Sequence, residues 1–167
     1  NQVNCEQMMA SVQAAGHTIQ VQPEGADVVV VNTCGFLSSA CEEAIDNILE
    51  MAELKKAGQV KKILVTGCMA QRYKEDVLSE LPEVDGVLGT GSYGDIADAV
   101  AEVMDQGLRP CHLGNIHTAD QSGERILSTA PWYAYLRIAE GCDNHCAYCV
   151  IPSLRGKYRS RPMEELL

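Results

Sequence analysis

Three cysteines close together on one stretch, Cys142, Cys146 and Cys149, carry the strongest chemical signal in this sequence. They form Cys-x3-Cys-x2-Cys within Cys142-Asp143-Asn144-His145-Cys146-Ala147-Tyr148-Cys149. Three thiolates this near on one loop can face a common point, and thiolates suit iron–sulfur clusters and zinc. A structural zinc site wants a fourth ligand at short spacing. His145 is the candidate, but it adjoins Cys146, and adjacent residues rarely ligate one tetrahedral metal together. Three ligands with an open fourth position suit a 4Fe–4S cluster whose unique iron binds a small molecule. A zinc knuckle or a set of unpaired structural thiols is the plainer alternative.

A second set of cysteines stands elsewhere. Cys34 follows the run Val28–Val31 in Asn32-Thr33-Cys34-Gly35-Phe36, and Cys68 follows Ile63–Val65 in Thr66-Gly67-Cys68-Met69-Ala70. Both runs read as parallel strands, so both cysteines fall at the sheet edge where open α/β folds bind ligands. Each lies beside a Gly, which lets a backbone approach closely. Two thiolates there make half of a second metal site. The other cysteines read more plainly. Cys5 shares a helix face with Met8, Met9 and Val12 and reads as a buried small apolar residue. Cys41 lies on the apolar stripe of a helix and reads as core. Cys111 stands alone and receives no role.

His17, His112 and His117 have no partners at ligand spacing and read as surface residues, as does His145 in its loop. Arg155, Lys157, Arg159 and Arg161 form a basic run beyond the cysteine triplet. It is either a solvated face or a contact with cofactor, cluster or an acidic substrate segment. Asp95, Asp98, Glu102 and Asp105 fit the solvent face of a helix. Trp132, Tyr133 and Tyr135 either pack against a linker or form an aromatic platform, and their spacing favours neither.

The elements that must position these groups alternate between strand and helix. Asn4–Ala15 has apolar residues at i, i+3, i+4 and i+7 and reads as a helix stopped by Gly16. Thr18–Val21 is a short strand candidate. Asp27–Asn32 holds four consecutive valines, the mark of a strand buried on both faces of a parallel sheet. Ser38–Lys56 is a long helix with the stripe Cys41, Ala44, Ile45, Ile48 and Leu49. Lys62–Thr66 and Val84–Leu88 read as further strands, Ala70–Leu81 and Asp95–Met104 as helices. This order predicts an α/β fold, an open doubly wound parallel sheet. Such a fold should open with a strand, so the first strand is expected to be missing before Asn1.

From Arg109 to Ala130 the pattern breaks at Gly114, Asn115, Asp120, Ser122 and Gly123, with loops or a short hairpin. A new strand is expected from Trp132 to about Ala139, and a helix over Met163–Leu167 opened by Pro162.

Composition sets outer limits. The chain has 167 residues, 46% of them hydrophobic, eight cysteines and a net charge of −10. The acidic balance weighs against broad nucleic-acid binding and favours a basic protein as partner. No apolar run reaches the roughly 18 residues of a membrane span, and no export leader opens the chain. Without a secretory signal, cysteines are expected to serve as metal ligands or catalytic groups in a reducing cytoplasm.

The triplet, with Tyr148 just before its last cysteine, resembles the signature of the radical S-adenosylmethionine superfamily. The lead-in Ala139-Glu140-Gly141-Cys142 and the run Ile151-Pro152-Ser153-Leu154-Arg155-Gly156-Lys157-Tyr158-Arg159-Ser160-Arg161-Pro162 resemble methylthiotransferases. Pro-Ser-Leu-Arg-Gly is most similar to the branch that modifies an aspartate of a ribosomal protein. The tRNA-adenosine branch tends to show Pro-Tyr-x-Arg-Gly there.

The resemblance implies two 4Fe–4S clusters and S-adenosylmethionine. Cys142, Cys146 and Cys149 would hold the cluster that binds and cleaves S-adenosylmethionine, with Tyr148 and Arg155 as candidate contacts to that cofactor. Cys34 and Cys68 match two of three ligands of an auxiliary cluster thought to carry the transferred sulfur. The third ligand is expected before Asn1, which would leave that cluster labile. Residues 1–125 would be the N-terminal methylthiotransferase domain, 126–130 a linker, and 131–167 the truncated opening of a radical S-adenosylmethionine (β/α) barrel.

The expected reaction adds a methylthio group to the β-carbon of an aspartate in a small-subunit ribosomal protein. The expected partners are that protein and an electron donor such as flavodoxin or ferredoxin, with no membrane. This stretch alone is expected not to turn over. The alternatives are tRNA-adenosine methylthiotransfer and a non-catalytic iron–sulfur module.

Overall fold

The computed structural model describes residues 2–105, 107–119 and 122–166. Asp120 of the expected loop and Leu167 of the expected last helix lie outside them. Helix α1 (Gln2–Ala14) leads into β1 (Ala26–Thr33), α2 (Ser38–Lys56) and β2 (Val60–Gly67). Then follow α3 (Cys68–Tyr73), α4 (Glu75–Glu80), β3 (Gly86–Gly91), α5 (Ile96–Asp105) and β4 (Cys111–Gly114). The remainder is sparse: β5 (Ala139–Glu140), α6 (Ile151–Arg155) and β6 (Arg159–Ser160), with a 3₁₀ turn over Met163–Glu165.

The first four strands form one parallel sheet in the order β1-β2-β3-β4. Strand side chains alternate between its faces. Val29, Val31, Ile63, Val65 and Val87 join Ala44, Ile48 and Ala52 of α2, and Met69, Ala70 and Val77 of α3 and α4. Val28, Leu64 and Leu88 point the other way, into Met8 of α1 and Ile96, Ala99, Val100 and Val103 of α5. A sheet with helices on both faces is the open doubly wound α/β architecture the alternating pattern predicts.

Several local expectations are corrected. The valine run of β1 packs on both faces, Val28 into one cluster and Val29 and Val31 into the other, but it is half-buried and Val30 is exposed. Thr18–Val21 forms no strand. The single helix expected over Ala70–Leu81 is two, broken at Lys74, whose φ of 50° and ψ of −124° no helix can contain. Within the stretch where the pattern breaks, Cys111–Gly114 is a true strand, paired through Val87–Cys111 and Leu88–His112. Cys41, Ile45 and Leu49 miss the core of α2, whose buried residues are Ala44, Ile48 and Ala52. The expected strand from Trp132 shrinks to the two residues of β5, which pair antiparallel with β6. The last helix reduces to the 3₁₀ turn. No barrel closes among the described residues, and none of their helices is long and apolar enough to cross a membrane.

Candidate metal-binding site

The sheet edge is built by register. Thr33 pairs with Gly67, so Cys34 and Cys68 leave neighbouring strands at the same level. The approach is as close as backbone allows. Gly67 has φ of 102°, and a Cβ there would run into the Thr33 carbonyl and lie 2.6 Å from Asn32 Oδ1. Gly35 has no room either: its Cβ would stand 2.7 Å from the Cys68 carbonyl carbon. Only Gly beside each cysteine lets the two turns touch. Cys34 is exposed, whereas Cys68, the first residue of α3, is 1% exposed. Burial pushes the Cys68 thiol up, while the charge and hydrogen bond of Arg155 pull it back.

Arg155 reaches this edge from α6. Its guanidinium donates to Cys68 Sγ (3.2 Å), Asn4 Oδ1 (3.2 Å) and Glu140 Oε2 (3.3 Å), and lies 5.8 Å from the centre of the Tyr93 ring. Glu140 Oε2 also takes Arg137 Nη1 at 3.3 Å. Burial pushes the Tyr93 hydroxyl well above its ordinary range, which keeps it protonated. Cys5 is not plain core. It is half-buried against the cluster that holds Met8 and Leu64, and its sulfur accepts a hydrogen bond from Asn32 Nδ2 at 2.8 Å.

The triplet sits in a loop closed at its base by β5 and β6, where Ala139 pairs with Ser160 and Glu140 with Arg159. Cys142 N–H donates to the Gly156 carbonyl (3.1 Å), and Tyr158 N–H to Asp143 Oδ1 (3.0 Å). Gly141, with φ of 75°, packs against the carbonyls of Gly156 and Lys157, leaving no space for a side chain. Within the loop, Cys149 N–H donates to the Cys146 carbonyl at 3.0 Å. Cys142 and Cys149 are half-buried, and Cys146 is exposed. Tyr148 is 90% exposed.

All eight cysteines are free thiols. Among the described residues no three Cys, His, Asp or Glu side chains converge on a point that could hold a metal ion. Cys34 and Cys68 are therefore brought together, while the triplet shares one clamped loop without a common centre. The donor set nevertheless fits an iron–sulfur cluster: soft sulfur ligands, no competing disulfide, and an exposed loop mouth.

The histidines separate. His17 and His145 are exposed. His117 Nδ1 receives Lys157 N–H, and His112, read as a surface residue, is half-buried and paired to Glu102 Oε2 at 3.0 Å. Sequence reasoning did not find Asn4, Tyr93 and Glu140 as partners of Arg155. Their one signal was polarity at positions flanking apolar runs.

Comparison with known proteins places this sequence in a family. Residues 1–89, more than half of the chain, match the profile described as Uncharacterized protein family UPF0004. Over its whole length the chain is similar to the protein named "Ribosomal protein uS12 methylthiotransferase RimO" from several bacteria. Identity is 48% to that of Lachnoclostridium phytofermentans, 51% to that of Syntrophomonas wolfei and 45% to that of Clostridioides difficile. The chain spans 38% of the length of each of these relatives. The chain belongs to the UPF0004 family, and its likeness to methylthiotransferases, first carried by the cysteine loop, extends from end to end.

Proposed function

We propose that the protein containing this chain is a radical S-adenosylmethionine methylthiotransferase of the cytoplasm that modifies ribosomal protein uS12 at the β-carbon of an aspartate. The observation that carries this reading is the coincidence of two things in one chain. A clamped Cys142/Cys146/Cys149 loop lies within a sequence 45–51% identical throughout to proteins named as uS12 methylthiotransferases.

In this reading Cys142, Cys146 and Cys149 hold a 4Fe–4S cluster, which when bound supplies the electron that cleaves S-adenosylmethionine. Cys34 and Cys68 hold part of a second cluster at the sheet edge. The chain's own residues do the positioning. Gly141 and the β5–β6 pairing fix the loop base, and Gly35 and Gly67 let the two sheet-edge cysteines stand side by side. Tyr148, exposed on the loop, is available to a bound cofactor. Residues 1–125, 126–130 and 131–167 are assigned to the auxiliary-cluster domain, a linker and the opening of the radical domain.

The test uses the full-length parent protein, with clusters rebuilt without oxygen and given S-adenosylmethionine and a strong reductant. 5′-Deoxyadenosine should appear, and Cys146→Ala should abolish it. Ribosomal protein uS12 should gain the mass of one methylthio group. A gain on tRNA adenosines instead would transfer the chemistry to the other branch. No 5′-deoxyadenosine from protein shown to hold iron and sulfide would leave a non-catalytic cluster module.

A further inference from the structure

The basic run after the triplet is not uniform. Lys157 is exposed and Arg159 and Arg161 are half-buried, but Arg155 is 8% exposed and bonded to groups outside the run. Its guanidinium fills the wall between α6 and the sheet, touching α1 through Asn4, β5 through Glu140 and α3 through Cys68. A planar fork with fixed donors is suited to holding several acceptors at once.

Glu140 Oε2 is shared between Arg155 and Arg137, so two guanidiniums face one carboxylate. Asn4 and the protonated Tyr93 add no charge. An N–H of Arg155 carries positive charge to within 3.2 Å of Cys68 Sγ. In a buried site such a contact is weakly screened.

We propose that Arg155 is a positioning residue for the sheet-edge site: it fixes the Cys68 sulfur and, through that hydrogen bond, raises the reduction potential of an iron–sulfur cluster held there. The proposal rests on the reading that Cys34 and Cys68 are cluster ligands. A reduced cluster carries one more negative charge than an oxidised one. Hydrogen bonds to its sulfurs and a neighbouring cation therefore favour reduction. Arg155 lies six residues beyond Cys149 and is carried by the same clamped segment. One side chain thus links the segment that carries the cysteine loop to the sheet edge.

The experiment uses the full-length parent protein with Cys142, Cys146 and Cys149 replaced by Ala, so that only the sheet-edge cluster remains. After anaerobic reconstitution, its midpoint is read by a redox titration followed by electron paramagnetic resonance, with circular dichroism as the check on folding. Arg155→Gln should make reduction about tenfold less favourable, a negative shift of about 59 mV for one electron. Arg155→Lys, which keeps the charge, should recover most of that shift. An unchanged midpoint in a folded, cluster-bearing Arg155→Gln protein overturns the proposal. So does a Lys variant as low as the Gln variant, because it leaves Arg155 a packing role alone.

A second measurement needs no Arg155 variant. Arginine labelled with ¹⁵N should give a weak nitrogen coupling to the reduced cluster in pulsed spectra, and its absence also overturns the proposal. If the protein lacking the triplet takes up no iron and sulfide, the assignment of Cys34 and Cys68 falls, and this inference with it. That outcome is distinct from a bound cluster whose potential ignores Arg155.

Discussion

Residues 2–114 and residues 115–166 are held by different forces. The first stretch buries apolar side chains on both faces of a sheet, with Ile48, Ile63, Leu64, Val65, Val87 and Leu88 fully enclosed. Among its described residues the second contributes only Leu154 to the buried apolar set, and leaves Trp132, Tyr133, Tyr135, Leu136 and Ile138 exposed. Its attachments are polar. Glu6, fully buried on α1, accepts the Ser128 N–H (3.0 Å) and hydroxyl (3.1 Å), and Arg125 stands 3.6 Å away. Thr90 at the end of β3 donates to the Leu154 carbonyl, and Arg155 reaches Asn4. The hydrophobic effect sets how much of the chain is solid, but it is non-directional. Buried hydrogen bonds have geometry, so they can fix where a coreless loop rests.

The comparison can be broken most forcefully in the core. Leu88→Ala should cost about 2–5 kcal/mol, read as a lower urea midpoint, because it empties a site packed between the sheet, α1 and α5. Trp132→Ala, at 82% exposure, should move the midpoint by no more than about 0.5 kcal/mol. Equal losses would erase the distinction between the two stretches.

A smaller effect is expected at the polar attachment. Glu6→Ala leaves the Ser128 N–H and hydroxyl without their acceptor and Arg125 without its ion-pair partner, and should cost about 1–3 kcal/mol. Limited proteolysis should then cut around residues 122–130 before the sheet opens. Cleavage no faster than in the unaltered chain would show that apolar contacts, and not Glu6, hold this segment.

A smaller effect than at Leu88 or Glu6 is expected at Asp85, inside the sheet-bearing stretch. Burial would raise its pKa, but hydrogen bonds from Lys55, the Ile63 N–H and Lys62 outweigh it and hold the carboxyl below the usual range. The folded pKa lies below the unfolded one, so the contribution is complete above the ordinary value of about 3.9 and fades as pH falls through the lowered folded value. Asp85→Asn should cost at most about 1 kcal/mol at neutral pH. It should also flatten the acid limb of the urea midpoint measured from pH 7 to pH 2. An unchanged limb would place acid sensitivity elsewhere.

Legibility in the sequence followed the same division. The strands Ala26–Thr33 and Val60–Gly67 and the helix Ser38–Lys56 were readable because apolar periodicity is a local signal and these elements obey it. Cys34 and Cys68 were readable as neighbours because strand ends in a parallel sheet align. Cys111–Gly114 was not. Its four residues carry a single aliphatic side chain, and only pairing with Val87 and Leu88 makes them a strand. The break at Lys74 has neither Gly nor Pro to announce it. Trp132–Ala139 failed in the opposite sense: the residues favour a strand, but ladder partners exist for only the last of them. The hydrogen bond from Arg155 to Cys68 spans 87 residues, and no local pattern encodes such a contact.

The order of the sheet carries a consequence for how the molecule assembles. Each strand pairs with the next one in the chain, so β1, β2, β3 and β4 can be added in turn as a nascent chain emerges. Glu6 must instead wait for Ser128, 122 positions later, and Asn4 for Arg155, 151 positions later. Contacts of such separation are the slow ones to form. The topology thus favours a sequence in which the platform is complete, with Cys34 and Cys68 already side by side, before the loop of Cys142, Cys146 and Cys149 has left the ribosome.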